Sequence, residues 1–253
     1  MGRTISKEQL QQHKEDAIAE LSAYLDSLIE SQDNKQCSKA DKLSYWLKDW
    51  TTFLNFESNF SPKSLKRYKR GEIIKAHLGF NVGSEEGGLH YCVILDKNNS
   101  RNSSTVTVAP LTSLKPNTNI EHLYPGSVYL GNELFTNLSS KVSYTNKLLT
   151  NRLNQFNALW NEAKDSISDE QALEFLPELR GIERDLDFLN RMNDEVSKMK
   201  RGSIALISQI RTISKIRIYD PKTNYDILSG VRLSNEKLDL LDQELLKMFT
   251  KGI

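Results

Sequence analysis

The sequence predicts an α+β fold, and two patterns carry the prediction. Short apolar runs rich in Val, Ile and Thr, partly alternating, gather at 72–78, 90–95 and 105–111 and return at 202–219. Segments with leucines recurring every three or four residues precede, interrupt and follow these runs. The chain has 253 residues, enough for one large domain or for a small one with helical appendages.

Ser6-Lys7-Glu8-Gln9 has the form of a capping box, in which Ser and Gln satisfy each other's backbone donors. Leu10, Ala17, Leu21, Leu25, Leu28 and Ile29 follow at helical spacing and predict a helix over 6–31, ended by the polar stretch 32–38. Leu43, Trp46, Leu47, Trp50, Phe53 and Leu54 mark a second helix over 39–55. Its face is wide and aromatic, and core packing of the tryptophans is expected over stacking on nucleobases. After the turn at Asn59-Phe60-Ser61-Pro62, a short helix over 63–69 leads into the first strand.

Between the first two strands lies the acidic loop Gly83-Ser84-Glu85-Glu86-Gly87-Gly88, where the glycines shape the turn. A fourth short strand is expected at 127–130 after Pro125-Gly126. From 141 the pattern becomes helical. Leu148, Leu149, Leu153, Phe156 and Trp160 share one face, and Leu179, Ile182, Leu186, Leu189 and Met192 share another. Pro177 divides or kinks the second segment. Both helices are amphipathic, so the pair needs a third partner, for which the N-terminal helices are the candidates. Strand character over 202–212 and 216–219 precedes a last helix over 235–249, capped by Ser234.

The net charge is only +1, so the whole chain gives no argument for a polyanion ligand. The distribution does: residues 63–115 hold nine basic against four acidic residues, while the first 60 are mildly acidic. Cys37 and Cys92 make no disulfide framework, and Cys92 reads as a buried thiol. The scattered histidines have no zinc spacing, and no metal or other cofactor is expected. There is no run of 18 apolar residues and no apolar signal core, so a soluble, cytoplasmic protein without membrane contact is expected.

Five stretches in order resemble the MazF/PemK toxins of bacterial toxin–antitoxin systems. Arg70-Gly71-Glu72-Ile73 resembles the family's opening strand, and Gly83 to Gly88 its glycine loop. Val106 to Thr112 (VTVAPLT) resembles its third strand, Ser208-Gln209-Ile210-Arg211-Thr212-Ile213 a later one, and the last helix fits too. The resemblance implies a small SH3-like β-barrel formed by 61–140 and 201–253, with an N-terminal helical region at 1–60 and an inserted helical hairpin at 141–200. It further implies a homodimer that cuts single-stranded RNA (mRNA) without metal, through the ribose 2′-hydroxyl, and is blocked by an antitoxin protein.

Metal-free cleavage needs a base, an acid and a group that holds the phosphorane charge. The family's catalytic arginine, two residues after the double glycine, is replaced here by His90, and the proline after it by Tyr91. Three readings stand for His90: a proton-transfer group, suited by an ordinary imidazole pKa of roughly 6.5; a binding residue in a site that cuts poorly; or a structural residue at a strand start. On the first reading Thr112 bonds the phosphate, and Arg211, Arg70 or Lys115 supplies the lost positive charge. Ser84 and Glu85 are candidates for RNA contact, Tyr91 for stacking or packing, and Gln209 is expected on the same strand face as Arg211. The competing reading is a module that binds RNA or a protein partner without cutting, or one restrained by its own helices.

Overall fold

A computed structural model describes residues 5–166 and 168–251. The chain divides into two compact units. One comprises the residues up to Asn59 together with Gly79–Gly88; the other comprises Phe60–Leu78 and the chain from Leu89 onward.

In the first unit, α1 (Lys7–Ile29) starts on the expected capping box: Gln9 N donates to Ser6 Oγ at 3.2 Å and Ser6 N to Gln9 Oε1 at 3.1 Å. The polar break is shorter than the sequence suggests. Asp33 accepts from Lys35 N at 2.9 Å, and this cap starts α2 at Asn34, running to Glu57. Leu28, Ala40 and Leu43 are buried, whereas Trp50 and Leu54 stay about half exposed, short of the core packing expected for that face. Two helices alone share only a narrow apolar stripe. The glycine loop closes on itself: Gly88 N donates to Gly79 O at 2.7 Å, and Asn81 Nδ2 to Glu86 O at 2.6 Å. A Cβ at Gly87 would stand 2.7 Å from Gly79 O, which is why that position has no side chain.

The second unit is built on an antiparallel sheet of seven strands: β1 (Ile73–His77), β2 (Leu89–Ile94), β3 (Thr105–Ser113), β4 (Ser127–Gly131), β5 (Ser203–Leu206), β6 (Arg211–Ser214) and β7 (Ile218–Asp220). The order is β4-β5-β3-β2-β1-β7, with β6 also on β3, so the expected barrel is an open one whose outer strands are β4 and β7. The single strand expected over 202–212 is two. Ile207 N and Ser208 N both donate to Gly126 O, and the chain turns there through a short 3₁₀ segment that separates β5 from β6. The helix expected over 63–69 shrinks to a 3₁₀ turn at Pro62–Ser64, because Lys66 N and Lys69 N bond instead to Lys222 O and Glu72 Oε2.

Alternation along the strands makes two apolar faces. Ile73, Val93, Ala109, Leu111, Leu130 and Ala205 lie on one, with Leu238 and Leu241 of the capped final helix α6. Ile74, Ala76, Cys92, Ile94, Val106, Val108 and Ile213 lie on the other, with Tyr68. In the order of the chain, α6 (Asn235–Phe249) follows three inserted helices: α3 (Glu133–Ala163), α4 (Asp169–Ala172) and α5 (Leu176–Lys198). α3 starts earlier than the leucine pattern shows, because Leu134 and Leu138 belong to the first sheet face rather than to the hairpin. Pro177 occupies the first turn of α5, where its missing N–H costs nothing.

Leu149, Phe156, Ile182, Leu189 and Met192 form the hairpin's own core, and Ile227 of the loop after β7 packs on that cluster. Lys141 Nζ fastens this loop by donating to Asp226 O, Ile227 O and Ser229 O at 3.1, 2.8 and 2.8 Å. Replacing Lys141 with Met removes all three donors from a half-buried site. The expected loss is about 2–3 kcal/mol of unfolding free energy in urea titration; a loss under about 0.5 kcal/mol would show that the carbonyls find other partners.

Candidate active site

The register of β2 and β3 pairs Cys92 with Pro110, so two residues further out His90 and Thr112 come level on the same face. Both line a pocket of about 260 Å³, together with Tyr91, Ser113 and Ser203. His90 is half-buried, and its Nδ1 lies 3.3 Å from Leu111 O. A carbonyl oxygen only accepts, so in this contact Nδ1 is the donor. Of the expected site residues, the structure therefore brings His90, Tyr91 and Thr112 into one cavity.

The others are placed elsewhere. Arg211 pairs with Val108 across β3, on the face that carries His90, and its Nη2 donates to Gln209 Oε1 at 3.3 Å. Gln209 reaches it from the 3₁₀ corner rather than from the same strand. Arg70 is held at the opposite end of the strands, donating to Leu95 O and paired with Asp242 of α6. Lys115 is exposed beyond β3, and Ser84 and Glu85 are exposed on the glycine loop. Cys92 is no nucleophile: burial pushes its thiol up to about 12, against the opposing pull of the Arg211 charge. Among the described residues no group of three or more His, Cys, Asp or Glu could hold a metal ion.

Three residues of the inserted hairpin reach this place without having been expected there. Lys198 and Lys200, at the end of α5, line the pocket. One turn earlier, Glu195 accepts from Lys75 Nζ at 2.6 Å and from the Tyr91 hydroxyl, while the Lys75 ammonium lies 5.3 Å from the centre of the Tyr91 ring. Burial opposes the charge on Glu195, but its bonds to Lys75 and Tyr91 outweigh this and hold the carboxyl below its ordinary value. Burial and the neighbouring carboxylate push the Tyr91 hydroxyl up, so it stays a donor. A signal for these residues was present in the chain. Ser203 pairs with Ser113, so whatever immediately precedes it must lie beside the end of β3.

Residues 69–154 match the model of the PemK-like, MazF-like toxins of type II toxin-antitoxin systems. This stretch, about a third of the chain, is similar to that toxin family. The matched stretch includes β1 to β4, and with them His90, Tyr91 and Thr112; α1, α2 and everything from the middle of α3 onward fall outside it. The fold agrees with a toxin of this family bearing helical additions. A search of curated proteins finds no match. No helix among the described residues is long and apolar enough to cross a membrane.

The lowered pKa of Glu195 sets a pH signature. A carboxyl that folding makes more acidic stabilises the fold above its unfolded pKa and loses that contribution as pH falls through the folded value. Glu195→Gln should therefore lower the urea midpoint at neutral pH, and the gap to wild type should close as pH falls below the ordinary carboxylate range. A gap that persists undiminished in acid would show that the ionised carboxylate contributes nothing to the clasp.

Proposed function

We propose that this protein is a metal-independent endoribonuclease toxin that cuts single-stranded RNA through the 2′-hydroxyl. The observation that carries the proposal is the pocket in which His90 and Thr112 meet, inside the stretch that matches the toxin family. In this reaction the 2′-oxygen attacks phosphorus and the bond to the 5′-oxygen breaks. The products are a 2′,3′-cyclic phosphate and a 5′-hydroxyl. One proton leaves the 2′-hydroxyl and one reaches the departing oxygen.

His90 is the proton carrier in this scheme. Imidazole as a class exchanges protons near neutrality, and the Leu111 carbonyl lies against its Nδ1. Thr112 donates its hydroxyl to the phosphate, and Arg211 adds positive charge on the same face. Tyr91 serves the site by packing and by its bond to Glu195 rather than by stacking a base. Sequence selectivity, a cognate antitoxin that blocks the site, a homodimer and a cytoplasmic location complete this reading. Purified protein incubated with long single-stranded RNA in EDTA should give discrete fragments with cyclic phosphate ends. His90→Ala should slow cutting by about 10²–10⁴-fold, and Thr112→Ala by about 10²-fold. Intact RNA from a folded wild-type protein would overturn the reading. Undiminished cutting by His90→Ala would remove the histidine from the mechanism.

A second reading concerns restraint. The loop that carries Ser84 and Glu85 groups with α1 and α2 in one compact unit, so these acidic helices are suited to hold that loop and limit cutting in cis. Removing residues 1–59 should then raise the cleavage rate several-fold. An unchanged rate in a truncated protein with native circular dichroism would end this idea.

A further inference from the structure

We propose that Lys198 and Lys200, from the end of the inserted hairpin, are the cations that hold the RNA backbone in the His90 pocket. This rests on the RNA-cleavage reading above and adds to it the source of the binding charge. Both lysines line the pocket that His90 and Thr112 line. Their place there is built in from both sides. Upstream, Glu195 ties α5 to Lys75 of β1 and Tyr91 of β2. Downstream, Ser203 is paired with Ser113 at the end of β3. The segment carrying the two lysines spans these fixed points, so the ends of β2 and β3 and the end of α5 form one rim.

Charge makes the same assignment. No carboxylate is among the residues lining the pocket. Lys66, Lys75, Arg70 and Arg152 are each committed to a carboxylate, whereas neither Lys198 nor Lys200 makes an ion pair among the described residues. Glu195, the acid nearest in sequence, bonds Lys75 and Tyr91 and feels the Lys198 charge only through space. What remains is an acid-free cavity with two exposed ammonium groups at its rim. Exposed ammonium groups on flexible stems suit the phosphates of a single strand, which must enter and leave. Such interactions are electrostatic and release counterions, so they have a measurable salt dependence.

The probe is a short fluorescent 2′-O-methyl single-stranded RNA of mixed sequence, which lacks the attacking hydroxyl and stays intact. Its dissociation constant is measured against potassium chloride concentration for the full chain. In Lys198→Gln/Lys200→Gln the slope of log affinity against log salt should flatten by about 1.4, or about 0.7 for each phosphate no longer neutralised. Lys198→Arg/Lys200→Arg should restore the slope, and Lys147→Gln, an exposed site on α3, should leave it unchanged. RNA binding with an undiminished slope in the double glutamine variant overturns the assignment of the lysines while the cleavage reading stands. No binding by the wild-type chain overturns the assignment together with the RNA reading it rests on.

Discussion

The double use of β3 is the constraint on which the rest of this structure depends. One edge of the strand is taken by β2. The other is divided between β6 along residues 105–108 and β5 along residues 111–113. A strand that serves two partners on one edge forces the returning chain to turn between them, and the 3₁₀ corner at Ile207–Gln209 is that turn. Two consequences reach the candidate site. Thr112 sits where β3 extends past its last pair with β2, level with His90. And β5 must enter beside Ser113, which brings the end of α5 to the same rim. The site is thus assembled by pairing geometry before any side chain makes a contact.

Much of this was legible in the residues. The three runs at 72–78, 90–95 and 105–111 became β1, β2 and β3 within a residue or two, because both faces of these strands are buried and the apolar pattern records it. The capping signals at Ser6 and Ser234 were also sound, since a cap is a local device. The errors fell where tertiary partners overrode local preference. Residues 202–212 have strand character throughout, yet the chain bends at 207–209 because two amides find one carbonyl, that of Gly126. Leu134 and Leu138 lie in helix, but their spacing could not show that they serve the sheet. Of the residues lining the candidate pocket, His90 and Thr112 were legible because they stand in the motif itself. Lys198 and Lys200 were not, since a basic end of an amphipathic helix has the same pattern whether it is solvated or lines a pocket.

The Glu195 clasp bears on how an insertion can take part in a site at all. Adding some 60 residues between two paired strands costs little in loop closure, because that cost grows only with the logarithm of length. The helices then need a reason to sit in one place. Hydrophobic contact with the sheet and with Ile227 supplies most of it but is non-directional. The half-buried contacts of Glu195 with Lys75 and Tyr91 are directional. They fix the last turn of α5 against β1 and β2 at the residues next to His90 and Cys92.

Tyr91 lines the candidate site, yet its hydroxyl is committed to Glu195. Its side chain lies on the face opposite His90, as alternation along β2 requires, and its hydroxyl is a permanent donor held by a carboxylate. A group so committed neither takes a proton nor stacks a base. Its effect is to set where the inserted helix ends. His90, one residue away on the other face, faces a backbone carbonyl of β3. The two neighbours therefore divide the work by strand geometry. The odd face of β2 fastens the insertion, and the even face presents the imidazole.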